Sequence, residues 1–284
     1  MSTFLWSVRR ELWEHKSVWL APLAVAVLVI VAFAIGASGH LEVSGFAKIP
    51  LEKKALLVSA PFNLSASVIL LTAFVVGAFY CLDALNTERK DRSILFWKSM
   101  PVSDGTTVLS KAVIPFFVMP LVALAIAFAM QAILFVIAAI VLKAKGIEAG
   151  PLYDMLPIWP MTVSLLYGVV VHALWYAPLY ALLLVASVAT RRPFLWIVIP
   201  AIVVQVLEKV AFNTGYAGEF IKYRLMGAMQ EAFKSGVRGQ GEVISLSQLH
   251  PQGFVTSIGL WTGLVAAAVL LFVASRLRRS KEPL

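Results

Sequence analysis

The chain has 284 residues, of which 60% are hydrophobic and only 14% are charged. A soluble globular domain has about a quarter of its residues charged, so this composition excludes one. The net charge of +9 does not indicate nucleic acid as a partner, because the positive residues flank apolar stretches instead of lining one groove or one helix face.

Six apolar stretches predict membrane-spanning helices, because a bilayer core about 30 Å thick needs about 20 apolar residues per helix. They cover 19–38, 62–82, 113–142, 161–190, 194–212 and 255–275. The fifth crosses only if Glu208 and Lys209 lie at the far interface. The alternation of a membrane β-barrel is absent. We therefore expect an all-α polytopic membrane protein, a single transmembrane domain over 1–284.

Residues 1–17 predict an amphipathic helix on the membrane surface. Phe4, Leu5, Val8 and Leu12 share one face of a helical wheel, and Arg10, Glu11 and Glu14 lie opposite. A cleaved signal peptide is the competing interpretation of the first span. Its apolar core is longer than that of a usual signal peptide, which favours a retained helix.

The distribution of Lys and Arg predicts the orientation of the chain. Of 24 such residues, 14 lie on the side that holds both termini, the loop 83–112 and the turn at Arg191. Loops with more Lys and Arg face the cytoplasm. Both termini and the loop 83–112 are therefore expected inside, and membrane lipids are expected as partners of the basic residues.

Few polar side chains fall within the predicted spans. His172, Gln131 and Glu208 are candidate intramembrane sites, since such residues are often functional. A lone histidine is more often hydrogen-bonded between helices than a proton carrier, and Gln131 is expected to join two helices. The single Cys81 is expected to be a small buried side chain.

The segment 213–254, before the sixth span, is predicted to lie outside and to contain a helix from Glu219 to Phe233. Its apolar face is expected to comprise Ile221, Leu225, Ala228, Met229, Ala232 and Phe233.

No pattern for catalysis is present. The sequence has no Ser/His/Asp set, no metal-ligand spacing and no GxxxxGK[ST] phosphate loop. We expect no enzyme activity, no cofactor and no metal in this chain.

The loop between the second and third spans contains a polar stretch, ERKDRSILFWKSMPVSD, from Glu88 to Asp104. It combines charges of both signs with apolar side chains, which is typical of a surface that docks on a soluble protein. The alternative is a solvated connector whose apolar residues rest on lipid. Pro101 disfavours helical geometry at Met100, and Ser103 or Asp104 suits the N-cap of the next helix.

This stretch, followed by Val108-Leu-Ser-Lys111, resembles the cytoplasmic loop of ABC-2 type transporter permeases. Met100 stands where Leu is usual in that family, and Asp91-Arg92 stands where Gly-Thr is frequent. The order of an amphipathic leader, six spans and an external helical segment is also similar. The resemblance implies a permease subunit of an ATP-driven exporter, in the cytoplasmic membrane of a bacterium.

The resemblance also implies partners. The chain would form a homodimer, or a heterodimer with a related permease, and would recruit separate ABC ATP-binding subunits that carry ATP and Mg. One coupling helix over 88–99, ended by Pro101, would contact the ATPase. Its candidate residues are Glu88, Arg89, Asp91, Arg92, Ile94, Leu95, Phe96, Trp97 and Pro101.

Two other functions remain open from the sequence. One is a secondary transporter driven by an ion gradient, which would usually need intramembrane carboxylates. The other is a scaffold that transports nothing. A membrane enzyme is disfavoured, since His, Asp and Glu do not converge on one predicted membrane face.

Overall fold

The computed structural model describes residues 3–40, 51–99, 102–146, 150, 156–233 and 246–280. The described chain is almost entirely helical, with one isolated β-bridge between Phe233 and Leu249. The first seven helices are α1 Thr3–Glu14, α2 Ser17–His40, α3 Leu51–Ala84, α4 Asn86–Lys90, α5 Ser93–Ser99, α6 Asp104–Val113 and α7 Met119–Ala144. The others are α8 Ile158–Trp175, α9 Ala177–Ala189, α10 Pro193–Phe212, α11 Tyr216–Ala232, α12 Pro251–Thr256 and α13 Ile258–Ser280.

Six helical stretches of the described chain are long and apolar enough to cross a membrane. They are Ser17–Ala37, Ser59–Lys90, Asp104–Ala144, Ile158–Trp175, Pro193–Phe212 and Ile258–Ser280. The prediction of an all-α polytopic membrane protein with six spans is thereby confirmed.

The fourth predicted span, 161–190, is not one straight helix. It consists of α8 and α9, which meet in a bend at Tyr176. Pro178 has no backbone N–H for the carbonyl of Leu174 and its ring crowds that turn, which explains a break at this place.

The third span also contains an irregular turn. A π-helical turn over Ile114–Val118 connects α6 to α7, and the backbone N–H of Met119 reaches the carbonyl of Ile114. At its start, the Ser103 hydroxyl accepts a hydrogen bond from the backbone N–H of Thr106 at 3.1 Å. Ser103, not Asp104, is therefore the N-cap of α6.

The core of the bundle consists of closely packed helices. The helix α2 lies against α7 and α3, and α9 lies against α13 and α3. Small side chains such as Ala66, Ala73, Ala123 and Ala127 are buried where α3 and α7 approach their neighbours, an arrangement that allows close helix contact in membranes. Cys81 is buried as predicted.

The helix α10 stands apart from this core. Pro193 is its only buried residue, and its contacts with α9, α11 and α3 are sparse. Large apolar side chains are therefore exposed around α10, including Trp196, Ile199 and Phe212.

The helix α11 buries small residues of its predicted apolar face together with one arginine. Ala228 and Ala232 are buried, Leu225 and Met229 of the same face are exposed, and Arg224 is buried. The Arg224 guanidinium donates to the carbonyl of Gly259 at 3.0 Å and lies over the ring of Trp175.

Candidate functional site

The loop between the second and third spans forms two short helices, so the expectation of one helix over 88–99 is wrong. The break lies at Arg92, whose φ of 61° is left-handed. The Asp91 carboxylate accepts a hydrogen bond from the backbone N–H of Ser93 at 3.0 Å. This local bond offers the backbone an alternative to a continuous helix, and it ends α4 and starts α5.

The apolar residues of α5 do not all face outward. Leu95 and Phe96 are each 58% exposed, whereas Ile94 is 1% exposed and packs within the chain. Ile94 is therefore not available to fill a groove on a partner. The side chain of Trp97, and Pro101 as a whole, lie outside the described residues.

Arg89 is buried and holds the loop to the bundle, so it is not the rim charge that the sequence predicted. Its guanidinium donates to the carbonyl of Val188 at 2.8 Å. Nearby, the Ser187 hydroxyl accepts hydrogen bonds from the backbone N–H groups of Leu85 and Asn86 at 3.0 and 2.9 Å. These bonds fix α4 against the last turn of α9. Asp91 and Arg92 are exposed as predicted.

Glu88 is also buried, and it lies in a network of ion pairs between separate helices. Its carboxylate lies 3.1 Å from the Lys111 ammonium of α6 and 3.1 Å from the Arg278 guanidinium of α13. Arg10 of α1 approaches the same carboxylate at 3.5 Å. Arg278 pairs in addition with Asp104, the first residue of α6.

The second buried carboxylate of the network belongs to Glu11 of α1, which is fully buried. It accepts hydrogen bonds from Lys111 at 2.9 Å and from Arg10 at 2.7 Å on one oxygen, and from the Tyr80 hydroxyl at 2.9 Å on the other. The sequence placed Glu11 on the outward polar face of an interfacial helix. That expectation is wrong, since Glu11 points into the bundle.

We call this set the ionic network, and the end of the bundle that contains it the ionic end. The network consists of Arg10, Glu11, Glu88, Asp104, Lys111 and Arg278. Three carboxylates face three cations within this set, and the half-exposed Glu14 pairs with Arg10 at its edge. Buried charges are tolerated when they are paired in this way, and loss of one partner is costly.

Electrostatics within the network favour an ionised Glu11. Burial by itself raises the pKa of this carboxyl, but the adjacent Lys111 and Arg10 outweigh it and lower the pKa below the ordinary value of 4.5. Glu11 is therefore charged at neutral pH.

The sequence pointed to Glu88 but missed its partners. Arg10 was assigned to the polar face of α1, Lys111 to the motif that resembles the permease loop, and Arg278 to the basic residues that set the orientation. A usable signal was present in Lys111, which lies only two residues before the predicted third span and has apolar neighbours. A lysine there needs a buried carboxylate or a route to the interface.

A metal site is not favoured at this place. Glu11, Glu14 and His15 have their ligand atoms within 4.8 Å of one another. Both oxygens of Glu11, however, already accept bonds from Lys111, Arg10 and Tyr80. The arrangement supports ion pairing better than cation binding.

The three predicted intramembrane sites serve different local contacts. His172 Nε2 lies 3.0 Å from the Tyr180 hydroxyl, across the bend between α8 and α9. Gln131 donates to the carbonyl of Phe62 at 3.3 Å and joins α7 to α3, as predicted.

Glu208 caps a helix. Its carboxylate accepts hydrogen bonds from the backbone N–H groups of Tyr216 and Ala217 at 2.5 and 2.8 Å, and from the Thr214 hydroxyl at 2.8 Å. A negative charge at a helix N-terminus is favourable. Glu208 therefore fixes the start of α11 to the end of α10.

No protein-family model matches this chain, and no curated protein matches it at a significant level. The class that the structure defines is a multi-pass, all-α membrane protein with six candidate spans.

Proposed function

We propose that this chain is the permease subunit of an ATP-driven exporter, of the kind formed by ABC-2 type permeases. It works as a dimer in the cytoplasmic membrane of a bacterium, with both termini inside. ATP and Mg are held by separate ATP-binding subunits, since the sequence carries no phosphate-binding loop. The exposed pair Leu95 and Phe96 on α5 is the observation that carries the proposal.

Exposed Leu95 and Phe96 favour a protein partner. Two large apolar side chains beside the charged and exposed Asp91 and Arg92 match an apolar interface centre with a polar rim. The ATPase contact is therefore proposed for a smaller set than the sequence suggested: Leu95, Phe96, Asp91 and Arg92.

The ionic network supports a coupling role for this end of the chain. The helix α5 follows α4 directly, and Glu88 of α4 is paired with Lys111 of α6 and Arg278 of α13. A displacement of α4 and α5 by a partner therefore acts directly on the third and sixth spans. Networks of ion pairs between packed helices are one way in which a movement is transmitted between two sites.

The test first asks whether a gene next to that of this chain encodes an ABC ATP-binding subunit, and then co-expresses that subunit with the chain. We expect the double variant Leu95→Ala, Phe96→Ala to lose co-purification and stimulation of ATP hydrolysis. Loss of central apolar anchors typically weakens an interface by about 2 kcal/mol or more, roughly thirtyfold in affinity.

The matched control is Val269→Ala, Phe272→Ala on α13, which removes side chains of similar size and exposure. This variant should bind and stimulate the ATPase normally. Equal behaviour of the two double variants would contradict the coupling assignment.

Transport that persists without the ATPase and stops with a protonophore would instead favour a secondary transporter.

A further inference from the structure

An apolar groove lies beside the sparsely packed α10. It has a volume of about 280 Å³ and runs between α3, α9 and α10. Its lining is wholly apolar and includes Phe74, Ala78, Leu82, Leu183, Phe194 and Val198. No polar atom of the described lining offers a partner for a polar ligand, so the groove suits a hydrocarbon chain.

The length of the groove matches one leaflet of a bilayer. Phe74 and Leu82 are eight residues apart on α3, which corresponds to about 12 Å along the helix. The hydrocarbon part of one leaflet is about 15 Å thick. A single acyl chain would therefore extend along most of this groove.

The groove ends near two exposed cations. Phe194 lies one turn from Arg191 and Arg192, which are both exposed in the turn between α9 and α10. Among the described residues, no ion pair includes either arginine. Arg89 lies within electrostatic range of Arg191 and adds to the positive field.

The mouth of the groove also lies at the ionic end, where a lipid headgroup would reside. Leu82 precedes Leu85 and Asn86, whose backbone N–H groups bind Ser187 at the last turn of α9. The same turn leads directly to the two arginines. The apolar groove thus leads to a cationic mouth, in the same way that an acyl chain of a phospholipid leads to the phosphate of its headgroup.

We propose that this groove is a binding site for an anionic phospholipid, with one acyl chain between α3 and α10 and the phosphate on Arg191 and Arg192. The lipid fills the gap that the protein leaves between the second, fourth and fifth spans. If the gap were unfilled, the side chains that line it on α3, α9 and α10 would lack dispersion contacts on one side. The site is independent of the proposed transport function.

The first experiment is native mass spectrometry of the purified chain with phosphatidylglycerol or phosphatidylcholine of identical acyl chains. We expect retention of phosphatidylglycerol to exceed that of phosphatidylcholine by roughly twenty-five-fold, since each of the two arginines contributes about a factor of five. The double variant Arg191→Gln, Arg192→Gln should remove this preference.

The matched control is Arg276→Gln, Arg279→Gln on α13, which removes two exposed arginines away from the groove. It should keep the preference. An unchanged preference in the Arg191, Arg192 variant would overturn the headgroup assignment.

A second pair of variants tests the groove itself. Ala78→Phe fills the groove and should reduce retention of both lipids, whereas Ala268→Phe, at an exposed alanine of α13, should not. Equal retention by both variants would overturn the acyl-chain assignment.

The occupant is identified directly by a photoreactive side chain at Val198 in intact membranes. A phospholipid adduct is the expected product. A covalent link to a second copy of this chain, or to another protein, would overturn the proposal, because that partner would then occupy the groove.

Discussion

Glu88 is the residue whose interpretation changes most between sequence and structure. In the sequence it begins a polar loop and suggests an exposed contact. In the structure its carboxylate is buried against Lys111 and Arg278, with Arg10 close by. A carboxylate in a low-dielectric site must be paired, so these cations are part of the reason that Glu88 can be buried at all.

We predict that Glu88→Gln lowers the free energy of unfolding by about 3–5 kcal/mol, because Lys111 and Arg278 remain charged and lose a buried partner. Chemical denaturation of the purified protein in detergent measures this change. The control is Glu14→Gln, which removes a half-exposed carboxylate that pairs with Arg10 and should cost less than about 1 kcal/mol.

A double-variant cycle separates pairing from other effects. Adding Lys111→Met to Glu88→Gln should destabilise the protein by less than the sum of the two single changes, since paired residues are coupled by about 0.5–3 kcal/mol. Additive changes would contradict the ionic network.

At the scale of the helix, the sequence predicted which segments are helical better than which faces they bury. The apolar runs located all six spans because length and hydropathy are local properties. For α1 and α11 the helical wheel separated an apolar face from a polar one. A wheel does not tell which polar residue has a partner on a distant helix, so the burial of Glu11 and Arg224 was not predicted.

A proline inside a predicted span indicates a kink, and the fourth span does bend at Tyr176, close to Pro178. The turn at Arg92 was not predicted. Arg92 gives no sequence signal for left-handed geometry, which Gly or Asn would have given.

We predict that Gly263→Ala loosens the contact of α11 with α13. An added Cβ would lie 1.7 Å from Nη2 of Arg224. The guanidinium would have to leave the carbonyl of Gly259 and the ring of Trp175. Hydrogen exchange of α11, followed by mass spectrometry, should increase in this variant.

The control for this prediction is Gly36→Ala, since nothing lies within 4 Å of an added Cβ there. It should leave exchange in α11 unchanged. In an Arg224→Ala background, Gly263→Ala should have little further effect. A full additional increase would indicate that the two residues act separately.

At the scale of the whole molecule, the ionic network joins the two ends of the chain. Arg10 and Glu11 lie near the start of the sequence and Arg278 near its end, and both ends meet at Glu88 and Lys111. The even number of spans predicted that the termini share one side. It did not predict their contact, because long-range pairing leaves no local pattern in a single sequence.

We predict an acid-dependent loss of stability from Glu11. Its pKa is lower in the folded protein than the ordinary 4.5, so the unfolded chain binds more protons between the two values. The stabilisation is complete above about pH 4.5 and is lost as the pH falls through the folded-state pKa. Melting temperatures of the purified protein from neutral to acidic pH measure this loss.

The variant Glu11→Gln should have a lower melting temperature at neutral pH. It should also lack the part of the decrease in melting temperature at acidic pH that protonation of Glu11 causes. Glu14→Gln should retain it, since Glu14 lies at the rim of the same helix. If the melting temperature of Glu11→Gln fell with pH in parallel with that of the unaltered protein, the acid-dependent loss of stability would come from other groups.

The π-helical turn at Ile114–Val118 divides the third span into two helical parts. It lies between α6, which carries Lys111 and Asp104 of the ionic network, and the apolar α7. Such a turn holds one residue more than the corresponding turn of an α-helix. If it reverted to a regular α-helix, α6 would rotate by about 100° and shift by about 1.5 Å relative to α7. A movement of α6 would then change this turn while α7 keeps its place beside α2 and α3.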